Sequence, residues 1–182
     1  PGVQLGQFSS AEGAAVGCRI SRCLIHDTPM YGIRVHGNDN IVEYSEIHDV
    51  CHEAGDAGAF NMYGSVAKRS LLERGNVLRY NYWHHLPQDE TFKDVHHTGR
   101  MGIYIDSMNG SITVYGNVFQ ACDYSHGTIF FGTSDSHVEN NLFHRCFKGV
   151  RFGDRSYLYN KVNKDPTFVM DAYLAKAAAN PI

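Results

Sequence analysis

Two aspartates stand in segments whose composition could set them to acid–base chemistry. Asp56 lies in GDAGA, a glycine-flanked turn, and Asp106 closes the run GIYID. Hydrolysis of a sugar linkage needs two carboxyl groups, one acting as acid and the other as nucleophile or base. The plainer role for either residue is a solvated turn aspartate bonded to its own backbone. Glu53 shares the segment of Asp56 and offers a further acid or base. His96, His97 and Arg100 close a long polar stretch from which they could reach a sugar or a carboxylate. Tyr63 and Tyr104 offer flat faces on which a sugar ring could stack.

A second group of residues recurs rather than converges. His26, His48, His84 and His144 occupy one repeated position. A metal needs convergent ligands, not a column, so this ladder reads as structural hydrogen bonding. We expect no metal and no other cofactor.

The elements that must position these residues are set by an internal repeat, the feature to seek first in any chain. Five nine-residue segments align without gaps: RISRCLIHD from Arg19, IVEYSEIHD from Ile41, VLRYNYWHH from Val77, TVYGNVFQA from Thr113 and HVENNLFHR from His137. Their second slot is aliphatic (Ile20, Val42, Leu78, Val114, Val138). Their seventh is large and apolar (Ile25, Ile47, Trp83, Phe119, Phe143), and Asn81, Asn117 and Asn141 share the fifth with Cys23 and Ser45. A second short strand follows each segment: GIRV from Gly32, GAFN from Gly58, GIYI from Gly102, TIFF from Thr128 and GVRF from Gly149. Alternation of apolar and outward residues marks these as strands.

No helical period separates the strands, which excludes a βαβ sheet. Coils this short bury their apolar faces only by stacking on one another. The expected fold is therefore all-β, a right-handed parallel β-helix of at least five coils, with a sandwich of short strands as the competing architecture. The solenoid should span residues 1–154. Insertions at 50–57, 63–74 and 86–101 should rise on one side of it and frame a groove over Phe60 and Tyr104. Residues 155–182 leave the pattern and should form a C-terminal extension or cap.

Composition narrows the partners. A net charge of −3 with scattered Lys and Arg excludes the basic stripe of a nucleic-acid binder. No apolar run approaches a membrane span of about 18 residues, so no membrane partner is expected either. Five cysteines, odd in number and without zinc-type spacing, imply neither a full disulfide framework nor a structural metal. Cys122 and Cys146 share an otherwise apolar register and should be interior thiols. The chain opens at Pro1, and we expect it to continue into further coils or domains of a larger secreted or periplasmic protein.

The runs IHDVCHEAGDAGAF, GNVLRYNYWHH, GIYID, TVYGNVF and VENNLFHRC resemble the right-handed β-helix glycosidases of glycoside hydrolase family 141. The resemblance covers roughly residues 18–153. It implies action on plant-wall glycans through a pair of aspartates, which by motif position are Asp56 and Asp106. The chain departs from that pattern in reading MYGSV after the second strand of coil two, and Asp106–Ser107 where two consecutive aspartates are common. The expected function is glycoside hydrolysis of a polysaccharide. The alternatives are a lyase or epimerase on uronate polymers, which would want a cation-lined cleft, and a non-catalytic binding or adhesive solenoid. One geometric condition attaches to the pair. With Gly58 aligned on Gly102, straight strands at roughly 3.3 Å per residue would hold the two aspartates about 20 Å apart, whereas inverting enzymes tolerate at most about 9.5 Å. The turn at 50–57 must therefore fold Asp56 back across its strand.

Overall fold

The computed structural model describes residues 1–7, 13–63, 73–87, 99–106, 109–122, 127–132 and 135–153. An N-terminal portion holds β1 (Val3–Leu5) and β2 (Ala15–Val16). Coil one follows with β3 (Arg19–Ser21), β4 (Leu24–Thr28), β5 (Ile33–Val35) and β6 (Gly37–Asn38). Coil two is β7 (Ile41–Glu43), β8 (Glu46–Val50) and β9 (Ala57–Met62), and coil three is β10 (Asn76–Arg79), β11 (Tyr82–His84) and β12 (Arg100–Ile105). Coil four is β13 (Ile112–Tyr115), β14 (Val118–Gln120) and β15 (Ile129–Phe131), and coil five is β16 (His137–Glu139), β17 (Leu142–His144) and β18 (Val150–Phe152).

Equivalent strands of successive coils pair in parallel and build three long sheets. Sheet one runs β1-β5-β9-β12-β15-β18, sheet two β16-β13-β10-β7-β3, and sheet three β17-β14-β11-β8-β4. β2 and β6 make a small fourth pair. This is the stacked solenoid that the repeat demanded, a parallel β-helix.

The register confirms the two apolar ladders. Ile20, Val42, Leu78, Val114 and Val138 pair in sequence across sheet two. Ile25, Ile47, Trp83, Phe119 and Phe143 do so across sheet three. The first four rungs of each are buried, while Val138 and Phe143 are only half-buried. They stand on the last described coil, which among the described residues has a partner coil on one side only. Ring stacking runs on through the second ladder: Trp83 to Phe119 at 6.3 Å and Phe119 to Phe143 at 5.2 Å between centroids.

Each coil turns its corners with single left-handed residues. Arg22, Tyr44, Tyr80 and Asn140, with Gly116, take positive φ at the fourth slot; Asp27, Asp49, His85, Ala121 and Arg145 do so at the ninth. Next to the first corner stands the asparagine ladder. Asn81 Oδ1 accepts the Ser45 N–H at 3.0 Å and Asn117 Oδ1 accepts the Asn81 N–H at 3.0 Å. Their amides donate to the carbonyls of Val42 and Leu78, each at 2.9 Å. The backbone groups that a bend leaves unpaired are thus satisfied from the neighbouring coil.

The thiol register also holds. None of the five cysteines is in a disulfide, and the Cys122 thiol donates to the Trp83 carbonyl at 2.9 Å. Cys122 is buried and Cys146 half-buried.

Sheet one differs from the alignment by one residue in coil two. Phe60, not Ala59, pairs with both Ile33 and Ile103, so Phe60 points into the core and Asn61 stands outside beside Tyr104. The outward position beside Tyr104, expected to hold Phe60, is therefore held by Asn61. The physical reason is volume: Phe60 fills the interior, and the small residues Gly58 and Ala59 slide past it. The parts of the insertions at 64–72 and 88–98, and the extension beyond 153, lie outside the described residues.

Candidate functional site

The outer face of sheet one is unlike the outer faces of the other two sheets. All six residues of β9 and all six of β12 are buried, so both faces of these strands are covered. Period-2 alternation puts Arg34, Asn61, Tyr104, Phe130 and Arg151 in one outward row, each opposite the next. Tyr104 and Phe130 meet edge to face at 5.5 Å and, with Met101, form a second apolar cluster separate from the core.

The two aspartates flank this row. Asp56 precedes β9 and Asp106 follows β12, both partly exposed. In the observed register they are seven positions apart, one more than the alignment gave, which straight strands would make about 23 Å. The strand is not straight. A Cβ placed on Gly58 would lie 2.5 Å from the Phe60 carbonyl oxygen and 2.8 Å from the Tyr104 Cβ. The backbone therefore folds tightly there, and only glycine fits. Asp56 itself adopts φ of +51°, a left-handed turn that Asp tolerates better than most residues. Together these bring Asp56 back to Tyr104, whose hydroxyl donates to Asp56 Oδ1 at 2.9 Å. Tyr104 is two residues before Asp106.

Tyr31 completes the cluster. Burial pushes its phenol above the ordinary range, the nearby Arg34 guanidinium opposes this, and Asp56, Cys51 and Asp106 each push it further up. Both aspartates are thus near enough for their charges to act on one phenol. The Arg34 guanidinium carbon lies 5.1 Å from the centre of the Tyr31 ring. Asn61, almost wholly buried in the same row, has its Oδ1 without a hydrogen-bond partner.

The remaining candidates fall into different places. Arg100 is buried at the start of β12, where its Nε donates to the Ala54 carbonyl at 3.1 Å and its Nη1 to the Pro87 carbonyl at 3.2 Å. It brackets two turns together. Glu53 is exposed in the turn before Asp56, and Tyr63 is half-buried just past β9. Tyr104 is only 3% exposed; its ring is packed against Phe130, so it holds Asp56 instead of offering an open face. His96 and His97 lie outside the described residues. Sequence reasoning missed Tyr31, Arg34 and Asn61. The signal for two of them was present: Arg34 and Asn61 fall in the same outward row as Tyr104, once coil two is shifted by one residue.

A family model described as a right-handed β-helix region matches residues 2–165. No curated protein and no solved structure matches the chain.

Proposed function

Starting from a chain that belongs to the right-handed β-helix family, we propose that it hydrolyses a glycosidic bond in a polysaccharide, with Asp56 and Asp106 as the two carboxyls. Solenoids of this family occur in polysaccharide-active enzymes and in binding proteins, so the fold does not by itself select an activity. The observation that carries the reading is the Tyr104–Asp56 hydrogen bond. It holds one carboxylate over the strand that ends at the other.

A carboxylate that accepts a phenol proton donor is fixed in position and acts as acceptor. That suits Asp56 to the nucleophile or base role. Asp106, at the open end of the strand, then delivers the proton to the leaving oxygen. Glu53, exposed in the turn before Asp56, and the partly exposed Arg34 and Tyr63 stand at the margins of the same face, where a sugar would meet them. The resemblance of GDAGA and GIYID to family 141 glycosidases supports the same pair, and a plant-wall glycan is the substrate class it favours. We place the activity outside the cytoplasm, where such polymers are met.

One observation favours a second reading. Arg34 places a cation on the outer face, and a uronate lyase uses such a charge to neutralise the substrate carboxylate. A panel of neutral and acidic wall polysaccharides separates the two. New reducing ends without ultraviolet-absorbing unsaturated products support hydrolysis. Unsaturated products would replace it with elimination, and binding without any cleavage would leave a carbohydrate-binding solenoid.

A further inference from the structure

Sheet three carries the histidine column on its outside. The rings of His26 and His48 stack at 5.1 Å, and those of His48 and His84 at 4.6 Å, nearly parallel in both cases. A column that only stacks would look alike in every coil. This one does not. Between coils two and three a carboxylate joins it: Glu46, two residues before His48 on β8 and hence on the same face, lies 3.0 Å from His84 Nε2. The sixth slot holds Leu24, Tyr82, Val118 and Leu142 in the other coils, so the carboxylate occurs at this one step.

One ligand atom from each of Glu46, His48 and His84 lies within 4.8 Å of the other two. The hydrogen bonds show what each ring must do to bind: His48 offers Nε2 directly, whereas His84 Nε2 carries the proton it donates to Glu46 Oε1 at 3.0 Å and gives it up to the ion. His48 Nδ1 is 2.7 Å from Asp49 Oδ2. A carboxylate can only accept, so Nδ1 carries the proton and Nε2 keeps its lone pair. His84 Nδ1 is 2.6 Å from His85 Nδ1, a partner for the Nδ1 proton when Nε2 is a ligand. Metal-bound imidazoles are held in this way, by a second polar group on the far nitrogen. Asp49 and His85 both sit at the left-handed corner, which turns them back toward the preceding ring.

We infer that Glu46, His48 and His84 form a binding site for a divalent transition ion of the zinc type, with water in the remaining positions. Two imidazoles and a carboxylate are a zinc donor set that leaves coordination open, and the same ligands suit nickel and copper. Donors about 2 Å from a tetrahedral ion are themselves roughly 3.3 Å apart. Glu46 and His84 already meet that spacing, and a side-chain rotation of His48 would close the other two edges. The site opens to solvent through Glu46, whose side chain is 49% exposed, while His84 at 11% forms its floor. It stands on a different sheet from the aspartate pair and does not depend on the hydrolytic reading.

The test uses the whole chain and zinc alone. Calorimetry should show one Zn²⁺ per chain, and Co²⁺ should give visible bands of a low-coordinate nitrogen–oxygen site. His48→Gln and His84→Gln should each weaken binding at least about tenfold, and Asp49→Asn by about tenfold, the lower end of second-shell effects. Glutamine is the choice because Gln120 fills this slot naturally in coil four, and asparagine because it keeps the left-handed corner. His26→Gln, outside the triad, should leave affinity unchanged. Wild-type affinity in both His48→Gln and His84→Gln, or no zinc binding tighter than about 0.1 mM (roughly 5.5 kcal/mol), would overturn the assignment. Should a glutamine variant fail to fold, imidazole ¹⁵N shifts of the wild-type chain under zinc titration decide instead. Movement at His48 and His84 Nε2 supports the site, and stillness there refutes it.

Discussion

The outer faces of sheets one and three share a backbone plan and differ in almost everything placed on it. On sheet three the side chains of successive coils repeat and stack, as His26, His48 and His84 do, and the first two of these rings stay partly open to water. On sheet one β9 and β12 are covered on both faces, the row Arg34–Asn61–Tyr104–Phe130 repeats nothing, and a glycine kink draws Asp56 inward. The difference teaches where to look in a solenoid. Repetition is the mark of residues that hold coils together, and a break in the repeat marks residues free to do something else. The lone carboxylate Glu46 within the histidine column is a small break of the same kind.

The largest expected effect tests the irregular face. Asp106→Asn should cut hydrolysis by about a hundred- to ten-thousandfold, the range for losing a positioned acid or base. Its melting temperature should hardly move, because a partly exposed residue at a strand end contributes little to the core. Asp56→Asn should match it, and Tyr104→Phe should lose less, since the ring packing on Phe130 survives. An active Asp56→Asn beside a dead Asp106→Asn would hand the partner role to Glu53 or an imidazole.

The regular face should fail in the opposite manner, in stability with no dependence on substrate. Phe119→Ala empties the middle of the Trp83–Phe119–Phe143 stack and should cost about 3–5 kcal/mol. Denaturant titration gives the number directly. A cost below about 1 kcal/mol would mean that the ladder collapses around the gap. Asn117→Ala comes next in size. It strips the partner from the Asn81 N–H and from the Leu78 carbonyl, and each buried group left unsatisfied costs about 1–3 kcal/mol.

How far the sequence could be read follows the same division. Val42, Leu78 and Val114 recur at one slot without gaps, so sheets two and three were legible to the residue. The asparagine corner was legible for the same reason. In sheet one the strands are separated by long insertions, and Gly58–Ala59–Phe60 offers two apolar residues for one interior position. Side-chain period fixes the face only modulo one slip, and the choice fell to Phe60 because it fills more of the core. The kink at Gly58 was not legible at all. It rests on a close approach between strands far apart in sequence, and Tyr31 enters the site from a different coil for the same reason.

The smallest expected effect concerns the interior, where the two regions should behave alike. Cys51 opens the coil-two turn that leads to Asp56, and Cys122 follows β14 in coil four; both are buried. Burial pushes the Cys51 thiol up to about 12, with Arg100 and the N-terminal amine only partly opposing it. A neutral thiol is a poor nucleophile. At pH 8 a thiol reagent should therefore modify exposed Cys23 rapidly and leave Cys51 and Cys122 unmodified until the chain unfolds. The same shift has a signed consequence for stability. The unfolded chain loses this proton near pH 9 while the folded chain keeps it, so the unfolded state binds fewer protons above that pH and folding weakens. The contribution is complete below about pH 9 and fades as pH climbs toward 12. Cys51→Ala should therefore flatten the alkaline limb of a stability–pH curve and leave its neutral part little changed, since the substitution removes one sulfur from a site that otherwise stays filled. An unaltered alkaline limb would show that Cys51 is wetter than its burial implies.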